Sequence, residues 1–361
     1  MRRRRFLGTV GGAALGIGVL PGSELLVGRR AAPPALKNWA WVQGRGDRTR
    51  AEWRSWFTRL KDAGIKALLV SGGYRPLLAD AAHAVGLEFH RWIWTLNRNG
   101  DEWAKENHPE WYTINRQGES SLDKPPYVGY YKWVCPTRHP VREYLSSVVS
   151  EIAADSTVDG VHLDYIRHSD VILPVGLWSK YGLVQDREYP EFDFCYCDVC
   201  RERFGRETGR DPMELDDASN DVEWRRFRWN TLTELVSLLS ESVHSRGKQI
   251  STAVFPTPTL GRRLVRQAWD EWPVDAVFPM MYHEFYNEDV DWIGSATREG
   301  AAALSRRTPL FSGLYVPSLQ PQELYRAVRL ARTNGAAGIS LFGTGRLTEQ
   351  HLAQLERAAS E

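Results

Sequence analysis

Asp159-Gly160-Val161-His162-Leu163-Asp164-Tyr165-Ile166-Arg167 alternates side chains with the period of two that a β-strand imposes. A strand over 160–166 puts Val161 and Leu163 on one face, and His162 and Asp164 on the other. Just upstream, a segment beginning after Pro140 gathers Val141, Tyr144, Leu145, Val148, Val149 and Ile152 on one helical face. A helix, a short link and a strand make the repeating unit of a parallel sheet with crossover helices.

The same unit recurs in both directions. Upstream lie strands at 38–42, 67–71 and 87–96. A helix over 51–63 carries Trp53, Trp56, Phe57 and Leu60 and is stopped by Gly64, and Gly72-Gly73 follows the second strand. Downstream, strands are expected at 249–255, 276–282, 309–315 and 338–342, with helices near 224–245 and 321–334. Eight alternations predict an α/β fold, a single (β/α)8 TIM barrel. No glycine-rich dinucleotide fingerprint follows the first strand, which argues against an open doubly wound sheet. Barrels place their chemistry at the C-terminal ends of the strands, and two long loops start there, 97–138 after strand three and 167–221 after strand four.

Bulk composition narrows the partners. Forty-six Lys and Arg against 45 Asp and Glu leave no net field to attract nucleic acid or an anionic membrane surface. Fifteen Trp and 14 Tyr supply flat faces with a polar edge, which suit a carbohydrate, although most such rings pack in cores.

Arg2 to Arg5, then Phe6-Leu7, then an uncharged run from Gly8 to Leu20 have the pattern of an export signal, and the run is too short to span a bilayer as a mature helix. Arg-Arg-x-Phe-Leu resembles a twin-arginine signal, which implies export of a folded chain to the periplasm or the cell exterior. Residues 1–33 are therefore read as signal and linker, and 34–361 as one barrel domain with an insertion at 168–221. No clear cleavage site stands out, so retention as a membrane anchor stays open.

At the expected mouth, Asp164 points along the barrel axis. A carboxylate there can attack or stabilise an oxocarbenium-like centre if a second acid protonates the leaving oxygen. Glu284, just beyond strand six, is the expected partner; the bland alternative is that Asp164 only bridges to Arg167 or to a group on strand three. His90, Trp92 and Trp94 share a face of strand three, and with His162, Tyr165, Arg167, Tyr282 and Tyr315 they form the expected sugar-contacting set. Two other readings stand beside this one. The same aromatic platform can bind a glycan without cleaving it, and His90, His162, Asp164 and His283 can be read as ligands of a hydrolytic metal, although no compact two-histidine motif is present.

Beyond strand four, the motifs 86–92, His108-Pro109-Glu110-Trp111, Pro136 to Leu145, 159–167, Ala253-Val254-Phe255-Pro256, 275–282 and 338–342 resemble in order those of the family 10 glycosyl hydrolase-like proteins. The resemblance spans most of the barrel. It implies kinship with the α-galactosidase and α-amylase group of barrels, and a nucleophile at Asp164. It implies neither a substrate nor the acid/base.

The four cysteines are Cys135, ahead of strand four, and Cys195, Cys197 and Cys200, after it. A tight CxCxxC loop with one distant Cys fits a structural zinc cage. The layout is similar to the zinc site of the family 42 β-galactosidases. In an exported protein two disulfides are the competing reading, and free thiols a third.

Overall fold

The computed structural model describes residues 37–72, 76–305 and 307–360; the export-signal segment read from the sequence lies outside them. Eight parallel strands form the barrel: β1 Asn38–Gln43, β2 Ile65–Ser71, β3 Glu88–Trp94, β4 Gly160–Asp164, β5 Gln249–Val254, β6 Ala276–Pro279, β7 Phe311–Tyr315 and β8 Gly338–Phe342. Their order is β6-β5-β4-β3-β2-β1-β8-β7. Closure between β6 and β7 comes from parallel bridges Val277–Leu310 and Met280–Gly313, with Met281 N–H donating to Gly313 O at 2.9 Å. This is the (β/α)8 barrel that the alternation predicted.

The helices that matter for the site are α1 Arg50–Asp62, α2 Pro76–His83, α3 Glu102–Asn107, α4 His139–Ala154, α5 Trp178–Tyr181, α6 Asp198–Thr208, α7 Val222–His244, α8 Pro258–Val265 and α9 Trp292–Ala303. α1 opens on a capping box, Thr49 with Glu52, which satisfies two otherwise orphaned N–H groups. It ends where Gly64 takes φ +92°, a backbone state that costs glycine little. No helix among the described residues is long and apolar enough to cross a membrane.

Two cores divide the strand side chains. Val161 and Leu163 pack outward with Phe57, Leu68, Phe89 and Leu145 under the helices, while Trp39, Trp41, Leu69, Trp92, Phe278 and Phe311 fill the barrel. The inward face of β4 therefore carries His162 and Asp164, as period two requires. His162 is a core group, not a sugar contact. It is fully buried, its Nε2 accepts from Trp41 Nε1 at 3.1 Å, and its Nδ1 faces Ser251 Oγ at 2.9 Å. Since the indole can only donate, His162 is neutral with its proton on Nδ1. His90 is corrected in the same way. It is 1% exposed, sits edge-on to Trp39, and its Nε2 lies 3.2 Å from Glu88 Oε2. Both face the axis, but too deep for a ligand to reach.

Burial pushes His162 well below the usual imidazole range. Burial, with Arg228 and Arg266 nearby, pushes the buried His168 down to about 3. Both are neutral in the folded state, whereas in the unfolded chain they take up protons near pH 6.5. The contribution of each is therefore intact above about pH 6.5 and is lost as pH falls below it, for His168 progressively down to about 3. We expect stability to fall between pH 7 and 4.5, with His168 accounting for about 2 kcal/mol of the loss at pH 5. Thermal unfolding of the wild type and His168→Gln across that range checks this, with a shallower slope in the variant.

Candidate functional site

β4 ends at Asp164, and the backbone turns abruptly there because Tyr165 takes φ +50°, an uncommon state for a bulky residue. The turn aims Tyr165 N–H at Asp164 Oδ1, 2.7 Å away. From the neighbouring strand, Trp92 Nε1 donates to Oδ2 at 3.0 Å. Both carboxyl oxygens are thus held by fixed donors. Burial raises the Asp164 pKa; the Tyr165 amide, the Trp92 indole and the Arg167 charge pull it down, and burial outweighs them.

Around this carboxyl lies a cavity of about 310 Å³, at the small end of ligand pockets. Trp41, Trp92, Phe255, Tyr282 and Phe342 line it; Trp41 belongs to the packing that fills the barrel, and Phe255 packs with Ile172, Leu264 and Val265. Tyr282 stacks on Phe342 at 5.7 Å and 13°, and Trp94 leans on Tyr165 with ring centroids 4.7 Å apart. The insertion supplies Arg167, Asp170, Lys180 and Tyr181. Arg167 is almost fully buried. It donates from Nη1 to Asp170 Oδ2 at 2.7 Å and lies over the rings of Trp133 and Tyr165.

Of the residues expected from sequence, Asp164, Trp92, Trp94, Tyr165, Arg167 and Tyr282 meet at this cavity. Tyr315 stands behind it, stacked on Phe342 at 5.9 Å. Glu284 is exposed, on the single turn His283–Tyr286, and is not part of the lining. Asp170 is the cavity's second carboxylate, and sequence reading missed it. Its signal was the i, i+3 spacing from Arg167, which reads as an ordinary ion pair until the loop is seen to fold back into the mouth. His90, His162, Asp164 and His283 do not converge as metal ligands: among the described residues, the side chains grouped closely enough to hold an ion are the four cysteines.

Those four are buried, unpaired as disulfides and within 4.8 Å of one another. Cys135 Sγ lies 3.5 Å from Cys200 Sγ and 3.7 Å from Cys197 Sγ. A tetrahedral ion with bonds of about 2.3 Å needs sulfur separations near 3.8 Å, so the thiols fit a metal. Cys197 caps α6 and Cys200 lies in its first turn. The nearby Arg138, whose charge is favoured by the surrounding thiols and Asp198 against the cost of burial, partly balances a thiolate cage. Phe194, Phe204, Trp224 and Phe227 pack around the cysteines as a separate small core. The cage therefore ties the segment before β4 to the insertion after it, and the insertion in turn delivers Arg167 and Asp170 to the mouth.

No protein-family model matches the chain, and no curated protein matches it. Similar solved structures do exist. The catalytic domain of β-amylase from Paenibacillus polymyxa is 11% identical with a TM-score of 0.60, over 90% of this chain and 98% of that one. The glycoside hydrolase domain of PgaB (BpsB) from Bordetella bronchiseptica is 12% identical, TM-score 0.55, over 91% and 98%. An α-L-fucosidase, isoenzyme 2 from Paenibacillus thiaminolyticus, is 14% identical, TM-score 0.55, over 90% of this chain and 49% of its own. At such identities the likeness is one of fold.

Proposed function

We propose that the chain is a glycoside hydrolase that cleaves an oligo- or polysaccharide, with Asp164 beside the anomeric carbon. The observation that carries this reading is the fixed carboxylate, held through both oxygens in an aromatic-walled cavity at the C-terminal end of the barrel. Barrels of this fold whose names mark them as acting on glycans support it. In the reaction the bond from the anomeric carbon to the leaving oxygen breaks, and Asp164 attacks or stabilises the positive centre. A second carboxyl group gives its proton to the leaving oxygen, and water supplies hydroxide to the sugar and a proton to the enzyme. Asp170 is our candidate for that second group because it lines the cavity. Glu284, the expectation from sequence, lies outside the lining, so Asp170→Asn should cost more turnover than Glu284→Gln. Asp170 is ion-paired with Arg167, so its service as proton donor requires that substrate binding break that pair and that the carboxyl take up a proton; the rings of Trp92, Trp94 and Tyr282 offer faces for the sugar.

We further propose that the cysteine cage holds zinc in a structural role, closed by four protein ligands, and that the N-terminal segment directs export by the twin-arginine route.

The test is a screen of aryl glycosides and oligosaccharides for release of aglycone or reducing sugar by purified enzyme. Binding without release on every glycan would favour a non-catalytic lectin-like barrel. On a turned-over substrate, the raised Asp164 pKa should place the acid limb of kcat/KM above the ordinary carboxylate range near 4. Trp92→Phe removes a donor to the ionised form. The limb should then move up by about one pH unit, a shift that simple loss of packing would not produce.

A further inference from the structure

We infer that the Tyr282 hydroxyl reads the group at position 2 of the sugar in the cavity, so that the enzyme takes glycosides with a hydroxyl or acetamido group there and discriminates against their 2-deoxy forms; this rests on the glycosidase reading above. Tyr282 is 7% exposed and lines the cavity with Asp164. Among the described residues its hydroxyl has no hydrogen-bond partner, and it is not one of the polar atoms closed off from solvent. A buried tyrosine normally pairs its hydroxyl, so the partner has to come from what fills the cavity. The ring is held in place by its neighbours. Phe342 stacks on one face, Tyr315 leans on it with centroids 5.4 Å apart, and Phe285 meets it edge-on at 5.5 Å and 80°. The backbone is fixed as well, because Tyr282 N–H donates to Met280 O at 2.8 Å and Tyr282 O accepts from Phe285 N–H at 2.9 Å.

Asp164 is the charged side chain that acts on this phenol, yet the two are not bonded; the carboxyl is held instead by Tyr165 N–H and Trp92 Nε1. Burial, and after it the Asp164 charge, lift the phenol well above its ordinary range. It therefore keeps its proton through the neutral range and can donate it to a hydrogen bond. With Asp164 beside the anomeric carbon, a donor next to Asp164 meets the atoms around that carbon. The leaving oxygen needs the proton of a stronger acid, a carboxyl group. A donor on the ring oxygen would draw off the lone pair that stabilises the oxocarbenium-like centre. The substituent at position 2 is left, and a hydrogen bond there strengthens as the transition state forms. A buried hydroxyl placed for that group stays unpaired when the sugar lacks it, and such a sugar is rejected for that reason.

The test pairs Tyr282→Phe with sugars that lack the group. Aryl α- and β-glycosides of glucose, galactose and N-acetylglucosamine, and of the matching 2-deoxy sugars, are assayed with wild type and variant. For the sugar cleaved best, the ratio of kcat/KM between the parent and its 2-deoxy form should fall about tenfold in Tyr282→Phe; the ratio cancels the different intrinsic reactivity of the two glycosides. Calorimetry with the methyl glycosides of the same sugars gives a readout free of turnover: in Asp164→Asn the parent should bind more tightly than its 2-deoxy form, and adding Tyr282→Phe should abolish that preference. The melting temperature of Tyr282→Phe should match the wild type, because the ring packing is kept and no bond within the protein is lost. An unchanged ratio, or a marked loss of melting temperature, overturns the proposal. A binding preference that vanishes in the variant while the wild type turns over no glycoside would refute hydrolysis and uphold this contact, and turnover with an unchanged ratio would do the reverse.

Discussion

Asp164→Asn should lower kcat by about a thousandfold or more on any substrate that the wild type cleaves, with little change in KM, because removal of a principal catalytic group typically costs that much. The variant should nonetheless fold. Burial raises the pKa of this carboxyl in the folded protein, so at neutral pH its ionised form opposes folding, and that cost falls away only as pH drops through the raised value. Asparagine removes the charge and keeps one oxygen to accept from Trp92 Nε1, but its NH2 then faces Tyr165 N–H and loses that bond. The two effects oppose each other, and a thermal melt at pH 7 should show Asp164→Asn within a few degrees of the wild type. A large loss of melting temperature would instead give Asp164 a structural role.

The second large effect concerns the cysteine cage. Metal analysis should return about one zinc per chain, and Cys200→Ser should lower the melting temperature by about 10 °C or more. The reason is local: Phe194, Phe204, Trp224 and Phe227 pack on the cysteines. A thiolate cage also supplies folding free energy directly. Activity should fall with it, since the insertion positions Arg167 and Asp170. Full-length protein with no bound metal and an unchanged melt in Cys200→Ser would refute the cage.

How much of this was legible in sequence depended on how local each feature is. Alternation along 160–164 put His162 and Asp164 on the inward face, and the structure agrees. What alternation cannot give is height along the axis. His162 lies two residues before the strand's last residue, and His90 four before the end of β3, and there the barrel is packed with Trp39, Trp41 and Phe278. Strand ends were overestimated for a related reason. Period two continues through Leu96 and Tyr282, but the regular strands end at Trp94 and Pro279, with only isolated bridging beyond. After Pro279 the chain enters a single helical turn, so counting along the strand gives no direction for Glu284, which the structure leaves exposed. Asp170 and the close approach of Gly176 were not legible because loop 167–221 folds back over the mouth and meets the turn after β6, more than 100 positions away. The cysteines were the opposite case. Three cysteines within six residues, with one more ahead of the strand, fitted a cage beside the readings of disulfides and free thiols, and the structure brings the four thiols together.

Crystals of Asp164→Asn soaked with the oligosaccharide that binds most tightly give the most direct test. A sugar ring should rest against Trp92 and Tyr282 with its anomeric carbon about 3 to 3.5 Å from the residue-164 side chain. A glycan bound elsewhere on the barrel, with the cup beside residue 164 empty, would contradict the assignment of this carboxylate as the centre of the chemistry.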